Sequence, residues 1–317
     1  MQNTKAYPSI ATLNIKSTRS WLEGDNYKYY IEEKIDGSQL SIIVDNDGKL
    51  SFYNKNKRAG TNNSFEKAIT MLSFKYDGKN ILNPNYIYHG ESVCRIKHNV
   101  CAYERTPKNY FILYDIFDNT LNEYVSLDVK RLEAERVGFE LVQILYQNTD
   151  PNQNPYEICN KLINDIENEE IKSVLGGTIE GIVLKHHAFI EKDKCVSSKL
   201  KLVTTNFKER HTVKQPKAEL SADEFLTSLG NSFCTEARFH KAYQHLVESN
   251  SINPESIRNS DKDKIIMELN SDFDKEYKGE LKELLYTEFS PLLKKLAREG
   301  AGNWYTKTYL TENKDLI

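Results

Sequence analysis

The 317-residue chain has little of what marks small secreted or membrane proteins. Its five cysteines (Cys94, Cys101, Cys159, Cys195, Cys234) are odd in number and scattered, with no C-x-x-C pair. That excludes a disulfide framework and reads as reduced thiols of a cytosolic protein. No Cys/His cluster has ligand spacing, so a structural zinc site is excluded too. The longest apolar runs, such as Ile182-Val183-Leu184, are far too short to span a bilayer. The opening MQNTKAYPSI lacks the apolar stretch of a secretory leader. The expected location is therefore cytoplasmic, in a bacterium or in the host cell of a virus, with no membrane and no protein partner implied. Charge of either sign is also not in excess, with 43 basic against 46 acidic residues and a net charge of -3. Residues 1–210 hold 28 of each sign and the remainder 15 basic and 18 acidic. A nucleic-acid partner would have to meet a local basic surface, because bulk electrostatics announce none.

With 39% hydrophobic and 28% charged residues, the chain can bury a real core and is long enough for two domains. From about 27 to 206 the patterning is mostly of strands: Tyr27–Glu33, Leu40–Val44, Leu50–Asn54, Tyr86–His89, Phe111–Phe117, Leu141–Tyr146 and Ile179–Lys185. Asp45-Asn46-Asp47-Gly48 joins the second and third as a hairpin, since Asp-Gly supplies the positive φ such turns need. Helices fit Phe65–Leu72, Leu127–Arg136 and Tyr156–Leu175, the last with Ile158, Leu162, Ile163 and Ile166 on one face. Antiparallel strands with interspersed helices predict an α+β domain over 1–215. After Gln215-Pro216-Lys217 the texture turns helical. Ser221-Ala222-Asp223-Glu224 is a capping-box pattern, and helices fit Lys262–Tyr277 and Glu280–Glu299, the latter interrupted or kinked at Pro291. Residues 216–317 are expected to form a small all-helical domain.

The chemistry concentrates in the first part. Glu33-Lys34-Ile35-Asp36-Gly37 ends one strand just before the next and can hold an amine at the mouth of a pocket. By itself such a turn is an ordinary surface feature. Downstream come Lys57-Arg58-Ala59-Gly60, His89-Gly90-Glu91-Ser92, Phe111-Ile112-Leu113-Tyr114-Asp115-Ile116, Glu180-Gly181-Ile182-Val183-Leu184-Lys185 and Lys199-Leu200-Lys201. In order and spacing this series resembles the covalent nucleotidyltransferase superfamily of ATP-dependent ligases and mRNA-capping guanylyltransferases. Within it the chain is most similar to the RNA ligase 2 family, on Tyr7-Pro8-Ser9-Ile10, on Lys57-Arg58-Ala59-Gly60 and on total length. Asp36 matches the wider superfamily, whereas phage members of the RNA ligase 2 family have His there. The likeness covers residues 9–210.

The resemblance implies an antiparallel-sheet nucleotidyltransferase domain, ATP-grasp-like, followed by a helical domain that binds or orients RNA ends. It implies that Lys34 attacks the α-phosphorus of ATP to form a lysyl-AMP, with Mg²⁺ assisting and Mn²⁺ able to substitute. A free lysine is protonated at neutral pH, so Lys199 and Lys201 are expected to depress Lys34 by like charge and to neutralise the α-phosphate. Both amines of a K-x-K can share one strand face. Glu180 is the expected metal-associated carboxylate, Glu91 the acceptor for ribose hydroxyls, Arg58 a forked donor to phosphate or ribose, and Tyr114 the ring that stacks on adenine. Phe111 and Phe117 read as core. Glu33, Asp36, Gly37 and Gln39 flank the nucleophile and complete the nucleotide-binding set. The implied partner is RNA with 3′-OH and 5′-phosphate ends, a nicked duplex among the candidates. His186-His187 reads as an ordinary strand pair, because adjacent residues face opposite ways.

Two alternatives stand beside this. A DNA ligase or capping guanylyltransferase would carry a β-barrel after the K-x-K motif, where this chain reads as helical. A catalytically silent nucleic-acid-binding module would not need every catalytic position filled with the expected residue type.

Overall fold

The computed structural model describes residues 7–13, 28–54, 57–60, 64–97, 100–150, 152–186, 199–207 and 222–306. The chain gathers into two compact units, residues 1–257 and 258–317. The expected junction at 215/216, the capping Ser221 and His187 lie outside the described residues.

The first unit is built on two sheets. One joins β1 (Ala11–Thr12), β2 (Tyr29–Lys34), β9 (Ile144–Gln147), β10 (Gly181–His186) and β11 (Lys199–Val203) in the order β1-β11-β10-β2-β9. The other runs β4-β3-β5-β6-β7, from β3 (Ser38–Val44), β4 (Leu50–Tyr53), β5 (Tyr86–Ser92), β6 (Phe111–Asp118) and β7 (Glu123–Tyr124), with β8 (Glu140–Leu141) added on β6. The pairings are antiparallel except β1 with β11 and β6 with β8.

The register of the first sheet decides where the chemistry lies. Lys185 of β10 stands between Tyr30 and Lys199, Val183 between Glu32 and Lys201, and Gly181 between Lys34 and Val203. Residues directly opposed across a ladder share a face. One face therefore carries Tyr30, Glu32, Lys34, Lys185, Lys199 and Lys201. The other face buries Tyr29, Ile31, Ile182, Leu184 and Leu200 against Cys159, Leu162, Ile163 and Ile166 of helix α3 (Pro155–Glu167). That helix starts with Pro155 in its first turn, and Asn154 Oδ1 accepts from the Tyr156 amide at 3.0 Å. On the second sheet, α1 (Glu66–Tyr76) and α2 (Leu127–Val137) bring Ala68, Leu72, Tyr76, Ala134 and Val137 onto Leu40, Ile42, Tyr88, Leu113 and Ile116. Ser126 caps α2 by accepting from the Val129 amide, and Gly138 ends it at φ +76°. Phe111 and Phe117 are buried, as expected.

The Asp45–Gly48 hairpin is present, with Gly48 at φ +78° and its amide 3.0 Å from Asp45 O. The single strand expected at Leu141–Tyr146 is instead two: β8 pairs in one sheet and β9 in the other, so this segment carries the chain between them. The helix expected to reach Leu175 stops at Glu167, because Asn168 caps it and Glu169 takes φ +61°. Residues 168–180 then form a loop containing Gly176 and Gly177, both at φ +78°. Two further helices, α4 (Ala222–Ser232) and α5 (Glu236–Glu248), belong to the first unit. Sequence patterning did not single out α5, whose start is capped by Thr235 accepting from the Arg238 amide. In the second unit, α6 (Asp261–Ala297) takes the place of the two helices expected there and is followed by α7 (Ala301–Tyr305). Pro291 sits inside α6 without ending it. Among the described residues no strand follows β11, and no helix is long and apolar enough to cross a membrane.

Candidate active site

Lys34 is the last residue of β2, and its Nζ lies 2.6 Å from both carboxylate oxygens of Glu180. The contact follows from register: Lys34 opposes Gly181, which Glu180 precedes. Gly181 has to be glycine, since a Cβ there would stand 2.3 Å from Leu202 O and β11 could not close on β10. The Glu180 carbonyl is pinned by the Thr204 amide at 3.0 Å.

Burial alone would lower the Lys34 ammonium, but Glu180, Glu91 and Asp36 outweigh it and hold Lys34 above its ordinary value. Burial likewise raises Glu180, against the pull of Lys34. The expected like-charge depression of Lys34 by Lys199 and Lys201 is thus overturned for this state. The surroundings of Lys34 are acidic, and Lys199 Nζ is 2.8 Å from Asp115 instead. Lys201 shares the face and pulls Glu180 downward.

The turn after Lys34 is held by its aspartate. Asp36 Oδ2 accepts from the amides of Val100 at 2.8 Å and Cys101 at 2.7 Å, and the Asp36 amide donates to Tyr103 Oη at 2.7 Å. Gly37 lies where a Cβ would meet Glu91 Cβ at 2.9 Å, and Gly90 where one would meet Ile112 O at 2.4 Å. The glycines of three separate motifs thus mark places where strands approach too closely for any side chain. Gln39 faces Glu91 across β3 and β5, and its Nε2 is buried with no protein partner. From α5, Gln244 Nε2 donates to Gly37 O at 3.2 Å and Ser38 Oγ at 3.3 Å. Glu33 is buried and, by strand alternation, turns away from Lys34. Its Oε2 accepts from the Val174 amide at 3.0 Å, Oε1 has no protein partner, and burial pushes the carboxyl up to about 7. Arg58 is exposed, on a limb that bridges back to Tyr53.

Beside this lies a buried charge cluster of which sequence reasoning gave a role to Lys199 and Tyr114 alone. Asp115 of β6 takes Lys199 at 2.8 Å, Lys185 at 3.1 Å and the hydroxyl of Tyr7. Lys185 also reaches Glu32 at 2.5 Å, and Glu32 pairs with Lys130 of α2. The backbone carbonyl of Tyr114 accepts from both Lys130 (2.8 Å) and Lys185 (2.9 Å), while the Tyr114 ring meets Tyr7 edge-on at 4.8 Å. The lysines, led by Lys185, draw Asp115 well below the carboxylate range despite burial. Burial, reinforced by Lys185 and Lys130, brings Lys199 down to about 7. Lys199 was assigned to the α-phosphate, and Lys185, Asp115 and Tyr7 stood in quoted motifs without a role of their own. Lys130 and Glu32 carried no signal.

Among the described residues no group of three or more His, Cys, Asp or Glu side chains is arranged to hold a metal ion. Glu180 is an oxygen donor beside the Lys34 amine. That suits a cation which keeps much of its water and shares its oxygens with substrate phosphates, not one caged by protein alone.

A family model described as RNA ligase matches residues 27–203. No curated relative matches. Among solved structures, an archaeal ATP-dependent RNA ligase is 11% identical with a TM-score of 0.47, the match covering 84% of this chain and 62% of that one. A lysine-to-alanine mutant of a Naegleria gruberi RNA ligase, solved with ATP and Mn, is 16% identical with a TM-score of 0.46, covering 63% of this chain and 57% of that one. The same ligase with PPi gives 17% identity and 0.44, over 62% and 57%. The chain therefore spans less than two thirds of the length of these relatives. With the family model matched over more than half of its residues, the chain belongs to the RNA ligase family.

Proposed function

We propose that the protein is an ATP-dependent RNA ligase that repairs RNA by joining a 3′-OH end to a 5′-phosphate end. The observation that carries the proposal is the Lys34 amine, set 2.6 Å from Glu180 on the polar face of the first sheet. In the first step the Lys34 nitrogen bonds to the α-phosphorus of ATP, the bond to the β-phosphate oxygen breaks and pyrophosphate leaves. The proton must leave Lys34 before attack, so the pair with Glu180 is the contact that gives way. AMP then passes from Lys34 to the 5′-phosphate of RNA. A 3′-hydroxyl attacks that phosphate, forming the phosphodiester and releasing AMP.

Lys199 and Lys201 neutralise charge on the α-phosphate, Tyr114 stacks on adenine, and Glu91, Gln39 and Arg58 bind ribose and phosphate. Asp36, Gly37 and Glu33 shape the turn around the nucleophile. Glu180, with phosphate oxygens, would hold Mg²⁺, or Mn²⁺ in its place, and the ion supplies charge neutralisation and orientation of the triphosphate. Residues 216–317 bind or orient the RNA ends. The helices after β11, where a DNA ligase or capping enzyme would carry a β-barrel, favour RNA as substrate.

The test is incubation with α-³²P-labelled ATP or GTP and magnesium, followed by denaturing electrophoresis. Label from ATP on the wild type but not on Lys34→Ala is the expected result. Label retained on Lys34→Ala would refute the nucleophile, and label from GTP alone would move the protein to the capping class.

A further inference from the structure

Helix α5 is covered on more than one side. Arg238, Ala242 and Leu246, each four residues from the next, are buried along one of them. Lys241, Gln244 and Glu248 recur at helical spacing on another, and although all three are polar each is half-buried. From that side Gln244 reaches the turn that follows Lys34. Its Nε2 donates to Gly37 O at 3.2 Å, to Ser38 Oγ at 3.3 Å and to Glu248 Oε1, one helical turn on, at 2.7 Å. A carbonyl and a carboxylate oxygen can only accept, so Gly37 and Glu248 together turn the nitrogen of the carboxamide, not its oxygen, toward the site.

The turn is thus gripped from two sides. On one, Asp36 Oδ2 takes the Val100 and Cys101 amides. On the other, Gly37 O takes Gln244, from a helix 207 residues further along the chain. Gly37 also sits where a Cβ would meet Glu91 Cβ at 2.9 Å, and Glu91 is among the acids that hold the Lys34 ammonium. A shift of Gly37 is therefore felt at Lys34 through the short turn between them and through its acidic neighbour.

We propose that Gln244 is a positioning residue for lysine adenylylation, one that aims the Lys34 amine at the α-phosphorus by holding the Gly37 carbonyl. A helix beyond β11, in the stretch assigned to RNA ends, would then serve the first chemical step as well. Gln244 touches no nucleotide in this scheme. An amine attacks productively only from a near-attack position, and a misplacement of about 1 Å can cost on the order of 100-fold. The Asp36 anchor remains when Gln244 is replaced, so the expected loss is smaller. The inference rests on the reading of Lys34 as the nucleophile.

The experiment uses the full chain and takes the reaction apart. Single-turnover labelling by α-³²P-labelled ATP with magnesium reports the first step. Calorimetric binding of α,β-methylene-ATP, whose bridging carbon blocks attack by Lys34, reports nucleotide affinity. Joining of an RNA already carrying AMP on its 5′-phosphate reports the last step, in which the Lys34 nitrogen forms no bond. Gln244→Met keeps the length and removes the donor. It is expected to slow labelling at saturating ATP by about three- to tenfold, with analogue affinity and last-step rate within about twofold of wild type. Gln244→Lys restores a donor and is expected to recover most of the rate. A merely structural role would lower all three readouts together and would not respond to the donor. Unchanged labelling, equal losses in labelling and in the last step, or a lysine variant as slow as the methionine one overturns the proposal. If Gln244→Met does not fold, Gln244→Glu, of the same size but without a donor when ionised, takes its place beside Gln244→Lys. Lys34→Ala separates the two readings. Label on that variant sinks the role of Lys34 whatever Gln244 does, whereas its loss there beside wild-type labelling of Gln244→Met sinks the role of Gln244 alone.

Discussion

Asp36 is the residue whose two readings differ most. As a superfamily motif position it belongs to the nucleotide, yet its Oδ2 accepts from the Val100 and Cys101 amides at 2.8 and 2.7 Å. These are hydrogen bonds to an ionised acceptor, worth about 1.5–3 kcal/mol each, and removing the acceptor leaves two amides to find water. Asp36 is only 8% exposed, so water replaces it poorly. Asp36→Ala is expected to destabilise the first unit by about 3–5 kcal/mol, a fall in Tm of roughly 6–20 °C for a domain of this size. Asp36→Asn keeps one acceptor oxygen and is expected to lose about half as much. The assay is thermal denaturation of both variants, beside calorimetric binding of α,β-methylene-ATP. A Tm within about 2 °C of wild type with nucleotide binding abolished would refute the reasoning, because Asp36 would then be touching ligand and not anchoring the 100–101 backbone.

Gly181→Ala places a methyl 2.3 Å from Leu202 O and 2.7 Å from Val203 Cα, both backbone. We expect β11 to be displaced, a stability loss of about 1–3 kcal/mol or more by denaturant unfolding, and a larger fractional loss of lysine adenylylation than of stability, since Glu180 and Lys201 move with the strands. Glu33 rises from 4.5 to about 7 through burial. The folded state therefore holds its proton more tightly than the unfolded one. The associated stability is fully present below about 4.5 and is lost as pH rises through about 7. Glu33→Gln removes that loss, so its stability relative to wild type, followed through Tm, should climb between these pH values and level off above, by on the order of 3 kcal/mol. A Tm difference independent of pH would show that Glu33 titrates alike in both states.

The α+β fold was legible where side chains alternate over a stretch longer than its turns. The hairpin at Asp45–Gly48 and the Leu162–Ile163–Ile166 face of α3 are local patterns, and each was readable in its own residues. The segment 140–147 was not, because its apolar residues look like one strand. Only pairing partners far along the chain, Ile112 and Leu113 for β8 and Tyr30 to Glu32 for β9, divide it between two sheets. Helix α3 ended early for a similar reason. Nothing apolar changes at Glu167, but the loop beyond it is held by Glu33, some 141 residues away. Pro291 reads as a break or kink, yet α6 runs through it.

At the candidate site the motifs name Lys34 and Glu180, which the fold brings together, but they misjudged the electrostatics around them. Spacing says which residues share a strand face; it does not say which of them meet across two sheets. Lys199 and Lys34 share a face, so like-charge depression was the natural expectation. Asp115 and Glu91, however, come from the other sheet and place an acid beside each amine. Lys130 shows the limit most sharply, for on an amphipathic helix a lysine next to Val129 and Arg131 reads as solvated. It is buried because Glu32 and Asp115 both stand within ion-pair distance of its ammonium. A buried charge is legible only with its partner, and here the partner is 98 residues away on another element. The Lys34 amine is likewise held by Glu180 and Glu91 from other elements as well as by Asp36 of its own motif, so its electrostatics could not be read from that motif alone.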